Sequence, residues 1–369
     1  IAVERSVAAN TRAAFHNYRA SLEAIESNEV AVAANQLALA LFLESDRMRS
    51  LEVTQENLAN QRNAVQEERR QGRDNQPYGR AAEAFQELLY DNFAYAHSTI
   101  GSMEDLNAAT IEDVAQFFTT YYAPNNAVLS LVGDFESRAA RRLIEKHFGG
   151  IPRQPAPPPV DMSEPQQKEE RRAAMADPLA RLTQVRIAYK IGFGNTPDTY
   201  AMQVLAGVLD RGQSSRLYRS LVHGKRLVAS IGAGVDERSG PGALYITAMV
   251  LPGKDPAEVE AAIYEEIERL QRELPADWEM EKIKNTARAG YLGSIRSAQS
   301  RATMLSTYKV YNDDPNLINT RLARMSAVTK QDVQRVARTY LQPSSRTVMV
   351  VTPEAKAAPA NMLKPAEVQ

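Results

Sequence analysis

The spacing of apolar residues in the first half of the chain predicts a run of helices. Residues 1–34 are rich in alanine but hold no lasting period, and a clear helical pattern begins at Asn35 and continues to about Leu51. A second helix is predicted over about residues 52–71. The composition of residues 74–79 predicts a turn that ends this helix.

Thr110 and Asp113 predict the start of a further helix. A threonine followed three residues later by an acidic residue can form a capping box, in which each side chain accepts a hydrogen bond from the other residue's backbone N–H. The segment 127–132 that follows this helix is apolar and β-prone. We therefore expect it to form a buried strand.

The second half of the chain begins with a proline-rich segment and then alternates strands with helices. Prolines and a run of charges over residues 152–178 predict a linker, stiff at first and then solvated. A strand is predicted over residues 185–191 and a helix over residues 200–209. Residues 228–235 and 244–250 are expected to pair as strands about a glycine-rich turn.

The end of the chain repeats a segment of its first half. Five residues recur in one ungapped register, and an apolar, β-prone segment follows both copies. The identical pairs, 219 positions apart, are Thr110 and Thr329, Asp113 and Asp332, Val114 and Val333, Tyr121 and Tyr340, and Pro124 and Pro343. The sequence therefore predicts an α+β chain of two homologous domains, each with helices packed on a mixed β-sheet. The predicted boundaries are 1–151 and 179–356 for the domains, 152–178 for the linker and 357–369 for a tail.

The first copy is shorter than the second. About 147 residues precede Thr329 within the second copy, but only 109 precede Thr110. The difference of roughly 38 residues matches the opening strand and the helix at residues 200–209, so we expect the first domain to lack its N-terminal strand and helix. Because the chain begins at Ile1 without a signal-like apolar segment, we also expect a mature product or a fragment.

Composition narrows the chemistry that the chain can perform. The formal net charge is −1, from 44 basic and 45 acidic residues, so no overall field draws the chain to nucleic acid or to an anionic membrane. Cysteine is absent, which removes disulfides, thiolate nucleophiles and cysteine-based metal sites. No apolar run approaches the ~20 residues needed to span a bilayer. Any metal site must therefore use histidine, aspartate or glutamate.

Glu68 is the carboxylate that the helical pattern singles out. On a helix over residues 52–71, Leu58 and Val65 lie within about 20° of each other on the apolar side. Glu68 lies about 80° from that side, whereas Glu67 points away, so we expect the helix to turn Glu68 toward the interior. A buried carboxylate is normally paired or bound to a metal, and a carboxylate at the rim is a solvated charge. The residues alone leave both interpretations of Glu68 open.

Several stretches resemble the pitrilysin/insulinase family of zinc metallopeptidases, of the bacterial and mitochondrial-processing type with two homologous domains per chain. They are residues 35–37 with 43–48, 66–70 with 75–79, 122–127 with 133–135, and 214–218. Together they extend over most of the chain from Asn35 to about Pro353. The resemblance implies zinc-dependent hydrolysis of peptides that are drawn into a closed, clamshell-like chamber and bound as an added β-strand.

The resemblance also implies a zinc site in which Glu68 is a ligand. Members of the family bind zinc through an inverted His-x-x-Glu-His motif on a helix of the first domain, with a distal glutamate as the third ligand. Glu68 occupies the position of that distal glutamate. The repeat sets Glu68 against Gly290, as expected of a site that belongs to one copy only.

The chain departs from the family at the zinc motif, which this sequence does not contain. Its histidines are His16, His97, His147 and His223; none has the spacing of the motif, and we expect structural roles for the last three. Two explanations stay open: the motif helix is missing from this sequence by truncation, or the chain is a natural non-catalytic subunit that binds peptides or supports assembly. The retention of Glu68 favours the first.

The resemblance further implies a partner subunit. Zinc-free partners in the family often carry an arginine and a tyrosine, seven residues apart, that bind the substrate backbone, and the corresponding residues here are Val222 and Ala229. The missing pair favours the zinc-bearing kind of subunit, in a homodimer or heterodimer with a second family member. We also expect peptide substrates, no nucleic-acid binding, and a periplasmic or otherwise exported location, with a cytoplasmic location as the alternative.

Overall fold

The computed structural model describes the backbone of residues 31–354 and the side chains from residue 36 onward. His16 and the tail assigned to residues 357–369 lie outside the described residues. The chain divides into two compact units, each built from separate segments. Among the described residues, the first unit combines 31–71 with Ser98–Asp161 and Ala289–Arg321, and the second combines Gly72–His97, Met162–Arg288 and 322–354.

Helices dominate the described chain, which also contains a five-stranded sheet. In chain order the elements are α1 (Ala31–Arg49), α2 (Gln55–Arg69), α3 (Gly79–Leu89), α4 (Phe93–Ala96), α5 (Met103–Ala108), α6 (Ile111–Tyr121), α7 (Ser137–Phe148), β1 (Arg171–Asp177), β2 (Gln184–Phe193), α8 (Pro197–Asp210), β3 (Val228–Asp236), β4 (Pro241–Val250), α9 (Pro256–Arg272), α10 (Asp277–Ser294), α11 (Ala298–Asn312), α12 (Leu317–Ala327), α13 (Lys330–Tyr340) and β5 (Arg346–Pro353). No helix among residues 31–354 combines the length and the apolar composition that crossing a membrane requires. The predicted α+β class is confirmed.

The sheet lies in the second unit and is mixed. Its strand order is β1-β5-β2-β4-β3; β1 runs parallel to β5, and the other neighbours are antiparallel. Alternate residues of β2 point to opposite faces. Val185 and Ile187 join the larger core, which includes α8, α9 and α13, whereas Ala188 faces α3 and its buried Phe85. Both faces of the sheet are therefore covered, and the predicted pairing of residues 228–235 with 244–250 is confirmed by β3 and β4.

The internal repeat is visible in local structure. The backbone N–H of Thr110 donates to Asp113 Oδ2 at 2.9 Å, and that of Thr329 donates to Asp332 Oδ2 at 3.0 Å, so both copies form the predicted capping box. Both capped helices have 11 residues, and a short 3-10 turn that begins with proline follows each of them. The same sequence signals thus produce the same local structure in both copies.

The two copies differ in the strand that should follow. In the second copy that strand is β5, which pairs with β1 and β2. The prediction of a strand over residues 127–132 is wrong, because the segment forms no ladder with any described strand. An isolated β-prone segment becomes a strand only when a neighbour pairs with its backbone, and no described strand lies beside this one. Val128 and Leu129 remain 38% and 48% exposed.

Residues 171–177, which the sequence assigns to the linker, form β1. The charged residues at its start make the strand hard to recognise in the sequence. In the structure, Arg171 and Arg172 are both held by ion pairs. Arg171 Nη2 lies 2.5 Å from Asp91 Oδ2, and the Arg172 guanidinium donates to both carboxylate oxygens of Glu260 at 3.0 and 2.7 Å. These contacts bring the segment to β5, with which it pairs along its whole length.

Tyr78 and Gly79 fix the start of α3 on the sheet. Tyr78 has a left-handed backbone with φ 63°; its N–H donates to Asp177 Oδ2 at 2.6 Å, and its hydroxyl donates to the Leu182 carbonyl at 2.8 Å. A Cβ on Gly79 would lie 2.1 Å from the carbonyl oxygen of Arg73, so only glycine fits there. The family-like stretch at residues 75–79 therefore has a structural explanation.

The replacement Gly79→Ala is expected to lower the free energy of unfolding by about 1–3 kcal/mol, because the added methyl group must displace backbone. Denaturant titration measures the loss. The matched control is Gly72→Ala, since no atom lies within 4 Å of a Cβ at that position; its effect should stay within about 0.5 kcal/mol. Equal losses in the two variants would contradict the close approach at Gly79.

Candidate functional site

Glu68, the predicted metal ligand, is exposed on α2. The polar side chain that this helix buries is Gln66, which is 9% exposed and donates from Nε2 to Asn107 Oδ1 at 2.7 Å. The expectation that the helix turns Glu68 inward is wrong. Gln66 and Glu68 lie on opposite sides of the line through Leu58 and Val65, and the helix buries the side of Gln66.

Helix α2 nevertheless holds Glu68 in a fixed frame within the first unit. Arg62 Nη2 donates to the Ala109 carbonyl at 2.5 Å, and Arg69 Nη1 donates to the Gly101 carbonyl at 2.6 Å. Together with the bond from Gln66, these contacts tie one side of the helix to the segment 101–109. A carboxylate on such a helix is carried by a rigid support.

Glu67, the neighbour of Glu68, is engaged with its own helix. Its carboxylate accepts from Gln71 Nε2 at 2.8 Å and from Arg70 Nη1 at 3.2 Å. These two hydrogen bonds hold the pKa of Glu67 below its ordinary value, and the bond from Gln71 has the larger effect. Glu67 is therefore a suitable comparison for Glu68, since the two are adjacent glutamates on the same exposed part of α2.

The three described histidines are far apart in sequence, and each packs against an aromatic ring. The ring pairs are His97 stacked on Phe93 at 4.4 Å, His147 edge-on to Phe42 at 6.0 Å, and His223 edge-on to Tyr218 at 5.3 Å. Within the described residues, no three side chains of His, Cys, Asp or Glu form a group that could hold a metal ion. The described residues alone therefore do not fit a zinc ion, and Glu68 could supply one ligand at most.

The family-like stretch at residues 214–218 contains a buried ion pair that the sequence did not predict. Arg216 donates from Nε and Nη2 to the two carboxylate oxygens of Glu279, both at 2.8 Å, and the side chains are 7% and 5% exposed. The backbone N–H of Ala276 also donates to Glu279 Oε2 at 2.8 Å. Burial acts to raise the pKa of Glu279, but the bonds from Arg216 and Ala276 outweigh it, and the pKa lies below its ordinary value.

Strand β3 has an outer edge that no described strand pairs with, since β3 is last in the strand order. Backbone groups two residues apart in a strand point to the same edge. The Ala233 N–H donates to Asp210 Oδ2 at 2.9 Å, outside the β3 and β4 ladder. The backbone groups of Ile231 and Val235, on either side of Ala233, therefore face the same open edge.

A groove of about 380 Å³ runs beside this edge, entirely within the second unit. It is lined by residues of α8, β3, α10 and α12, namely Gln203, Ala206, Gly207, Asp210, Arg211, Ala233, Gly234, Val235, Ile283, Ala287 and Met325. The small side chains of β3 leave it open. Val222 and Ala229 occupy the positions where zinc-free partners in the family often carry the arginine and tyrosine that bind the substrate backbone. Ala229 is exposed on the same strand, and Val222 is half-buried against the larger core.

The chain is similar to peptidases and to their inactive domains. The family described as the peptidase M16 inactive domain matches residues 108–287. The zinc protease PqqE of Helicobacter pylori is 28% identical over 318 residues, which are 86% of this chain and 71% of that protein.

Solved structures share the fold. The crystal structure of a protease from Helicobacter pylori matches with a TM-score of 0.81 and 27% identity, over 86% of this chain and 78% of that one. The first half of the periplasmic protease PqqL from Escherichia coli matches with a TM-score of 0.69 over 87% of this chain and 71% of that one. At 15% identity this second similarity concerns the fold alone.

Proposed function

This chain belongs to the pitrilysin (M16) family of peptidases, and from that premise we propose that it is a subunit of a zinc-dependent peptidase that binds peptides as an added β-strand. The observation that carries the proposal is the open edge of β3 beside its groove. Glu68 is the proposed carboxylate ligand of the zinc, and the remaining ligands come from outside the described residues. The described residues bind the peptide, and bond cleavage is not assigned to them.

An extended peptide would pair with β3 through main-chain hydrogen bonds. Such pairing gives affinity that depends little on sequence, while pockets for alternate side chains give selectivity. The backbone groups of Ile231 and Val235 are available at the edge, whereas the Ala233 N–H already donates to Asp210. The peptide would thus bond on both sides of Ala233 and direct every second side chain into the groove.

Hydrogen exchange tests this mode of binding. A ten-residue peptide of alternating valine and serine is expected to slow amide exchange at Ile231 and Val235. A companion peptide that is N-methylated at alternate residues should bind roughly 10-fold more weakly, because two main-chain hydrogen bonds are lost. Equal binding of the two peptides, or protection elsewhere on the sheet only, would contradict the proposal.

A second candidate function is a non-catalytic subunit that binds peptides or supports assembly. It is favoured by the description of the matching family model as an inactive domain. The two functions share the β3 edge but differ in metal content. We further propose pairing with a second family subunit and a periplasmic or otherwise exported location; the pairing is supported by Val222 and Ala229, which supply no arginine and tyrosine clamp.

A further inference from the structure

Three cations gather at the rim of the groove beside β3, namely Arg211, Arg219 and Lys282. Arg211 is exposed, lines the groove and follows α8 directly. Lys282 of α10 lies next to it, because its Nζ donates to the Arg211 carbonyl at 2.9 Å and to Ser214 Oγ at 3.1 Å. The charged groups of Arg219 and Lys282 lie 5.7 and 5.6 Å from the centre of the Trp278 ring. We call the three cations the basic cluster.

The basic cluster has no carboxylate partner among the described residues. The side chains of Arg211 and Arg219 make no hydrogen bond or ion pair within that part of the chain, and Lys282 donates to uncharged oxygens. The neighbouring carboxylate of Glu279 is already engaged with Arg216 at 2.8 Å. The cluster therefore keeps its positive charge.

The fold holds Lys282 among like charges. Burial lowers the pKa of Lys282, and the cations of Arg219 and Arg211 lower it further, although Glu279 acts in the opposite direction. The ring of Trp278 attracts two of the three cations and so keeps them together. Scattered surface charges are simply solvated, whereas cations gathered at the rim of a groove create a positive potential that attracts an anion.

The groove also contains one carboxylate, that of Asp210, which directly precedes Arg211. Its Oδ2 accepts from the Ala233 N–H at 2.9 Å, so this carboxylate lies against β3. The basic cluster gathers beside α10 instead, and a single carboxylate does not neutralise three cations. The groove thus has a negative group at the strand and a positive rim beside α10.

We propose that the basic cluster binds a carboxylate of the peptide that lies on β3, either an acidic side chain or a free C-terminus. The inference rests on the proposed peptide-binding function and adds a preference for peptides that carry a negative charge toward one end. Guanidinium and ammonium groups form charge-assisted hydrogen bonds with carboxylates, and these bonds are stronger in a partly desolvated place than in water. Arg211 contacts the carboxylate, since it lines the groove, and Lys282 and Arg219 add to the attraction.

Trp278 is the only tryptophan of the chain, so its fluorescence reports on the basic cluster. The probes are four N-acetylated peptides of ten residues that alternate valine and serine. One is an uncharged amide, two are amides with glutamate at the second or the ninth residue, and the fourth is uncharged apart from a free C-terminus. Fluorescence polarisation of dye-labelled copies measures binding, and Trp278 emission with unlabelled copies measures contact with the cluster. Low ionic strength preserves the attraction, and EDTA prevents cleavage.

Two double variants test the residues. Arg211→Gln with Arg219→Gln removes two charges of the basic cluster and leaves Lys282 in place. The matched control, Arg181→Gln with Lys254→Gln, removes two charges from exposed positions of the same unit that do not line the groove. All four positions are exposed, so the melting temperatures of both variants should match that of the unmodified chain.

A peptide with the recognised carboxylate is expected to bind the unmodified chain about 10-fold more tightly than the uncharged amide, the effect of one charge-assisted hydrogen bond. It should also change the emission of Trp278. Tighter binding with glutamate identifies an acidic side chain, and tighter binding with the free C-terminus identifies the terminal carboxylate. The variant of Arg211 and Arg219 should lose most of this preference, and the control should keep it. Salt at about 1 M should weaken the preference, because the screening length falls to about 3 Å.

Other outcomes would overturn the inference. If the unmodified chain binds all four peptides equally, the basic cluster binds no carboxylate while the proposed peptide binding survives. If the variant of Arg211 and Arg219 keeps the full preference, or if Trp278 emission does not respond, the carboxylate binds elsewhere. If no peptide binds, the proposed function fails together with the inference.

Discussion

Replacing Glu279 with glutamine is expected to lower the free energy of unfolding by about 3–5 kcal/mol, because it leaves the buried guanidinium of Arg216 without a counter-charge. The pair is almost fully buried and bidentate, so water cannot take the place of the lost carboxylate. The bond from the Ala276 N–H would weaken as well, since the amide oxygen carries less charge. Urea titration of the second unit's transition measures the loss.

The matched control is Glu268→Gln on α9 in the same unit. Glu268 pairs with Arg272 at 3.7 Å, but the side chains are 59% and 67% exposed, so the change should be about 0–1 kcal/mol. The double variant Arg216→Met with Glu279→Leu should recover most of the stability, because apolar residues of similar size can replace a buried ion pair. Equal losses from Glu279→Gln and Glu268→Gln would contradict the buried pair.

The same pair predicts how stability depends on pH. The pKa of Glu279 is lower in the folded chain than its ordinary value of 4.5. Its contribution is therefore fully present above pH 4.5 and is lost as pH falls through the lower folded pKa. Below that range the difference in stability between the unmodified chain and Glu279→Gln should shrink; a constant difference would contradict the assignment.

The second large effect is expected at Glu68. In protein made from the complete gene, Glu68→Gln should reduce zinc affinity by more than the roughly 10–100-fold cost of a change outside the ligands themselves. The fold should change by less than about 0.5 kcal/mol, since Glu68 is exposed. Zinc content after dialysis, measured by mass spectrometry, and the unfolding midpoint separate the two effects.

Glu67→Gln is the control for Glu68→Gln. It removes the same charge from the next residue of α2, where the carboxylate accepts bonds from Gln71 and Arg70. It should leave the zinc content unchanged. If Glu68→Gln and Glu67→Gln bind zinc equally, Glu68 is a surface carboxylate and not a ligand.

Local signals in the sequence predicted local structure well. Thr110 with Asp113, and Thr329 with Asp332, predicted both capping boxes, because a helix start depends on residues three positions apart. Strands β3 and β4 were predictable because a turn of few residues joins them. The repeat and the α+β class followed from the same short-range patterns.

Features that depend on distant partners escaped prediction. Arg171–Asp177 has the composition of a linker and becomes β1 only beside β5, more than 160 residues later. Residues 127–132 have the composition of a strand and find no partner among the described residues. Composition indicates which segments are able to form a strand, but pairing with a neighbouring strand decides which of them do.

The candidate sites show the same division. The family position suggests Glu68 as a zinc ligand, which stays a prediction. Helical phase placed Glu68 on the wrong side, because α2 buries Gln66, which bonds to Asn107. Arg216 lay in a recognised stretch, but its partner Glu279 is 63 residues away.

The most direct test of the proposed function is the zinc content and peptidase activity of protein made from the complete gene. We expect about one zinc per chain and cleavage of a quenched fluorescent peptide, both abolished by a chelator and by Glu68→Gln. Absence of stoichiometric zinc together with absence of cleavage, in a gene product without a His-x-x-Glu-His motif, would contradict it and leave the non-catalytic peptide-binding subunit.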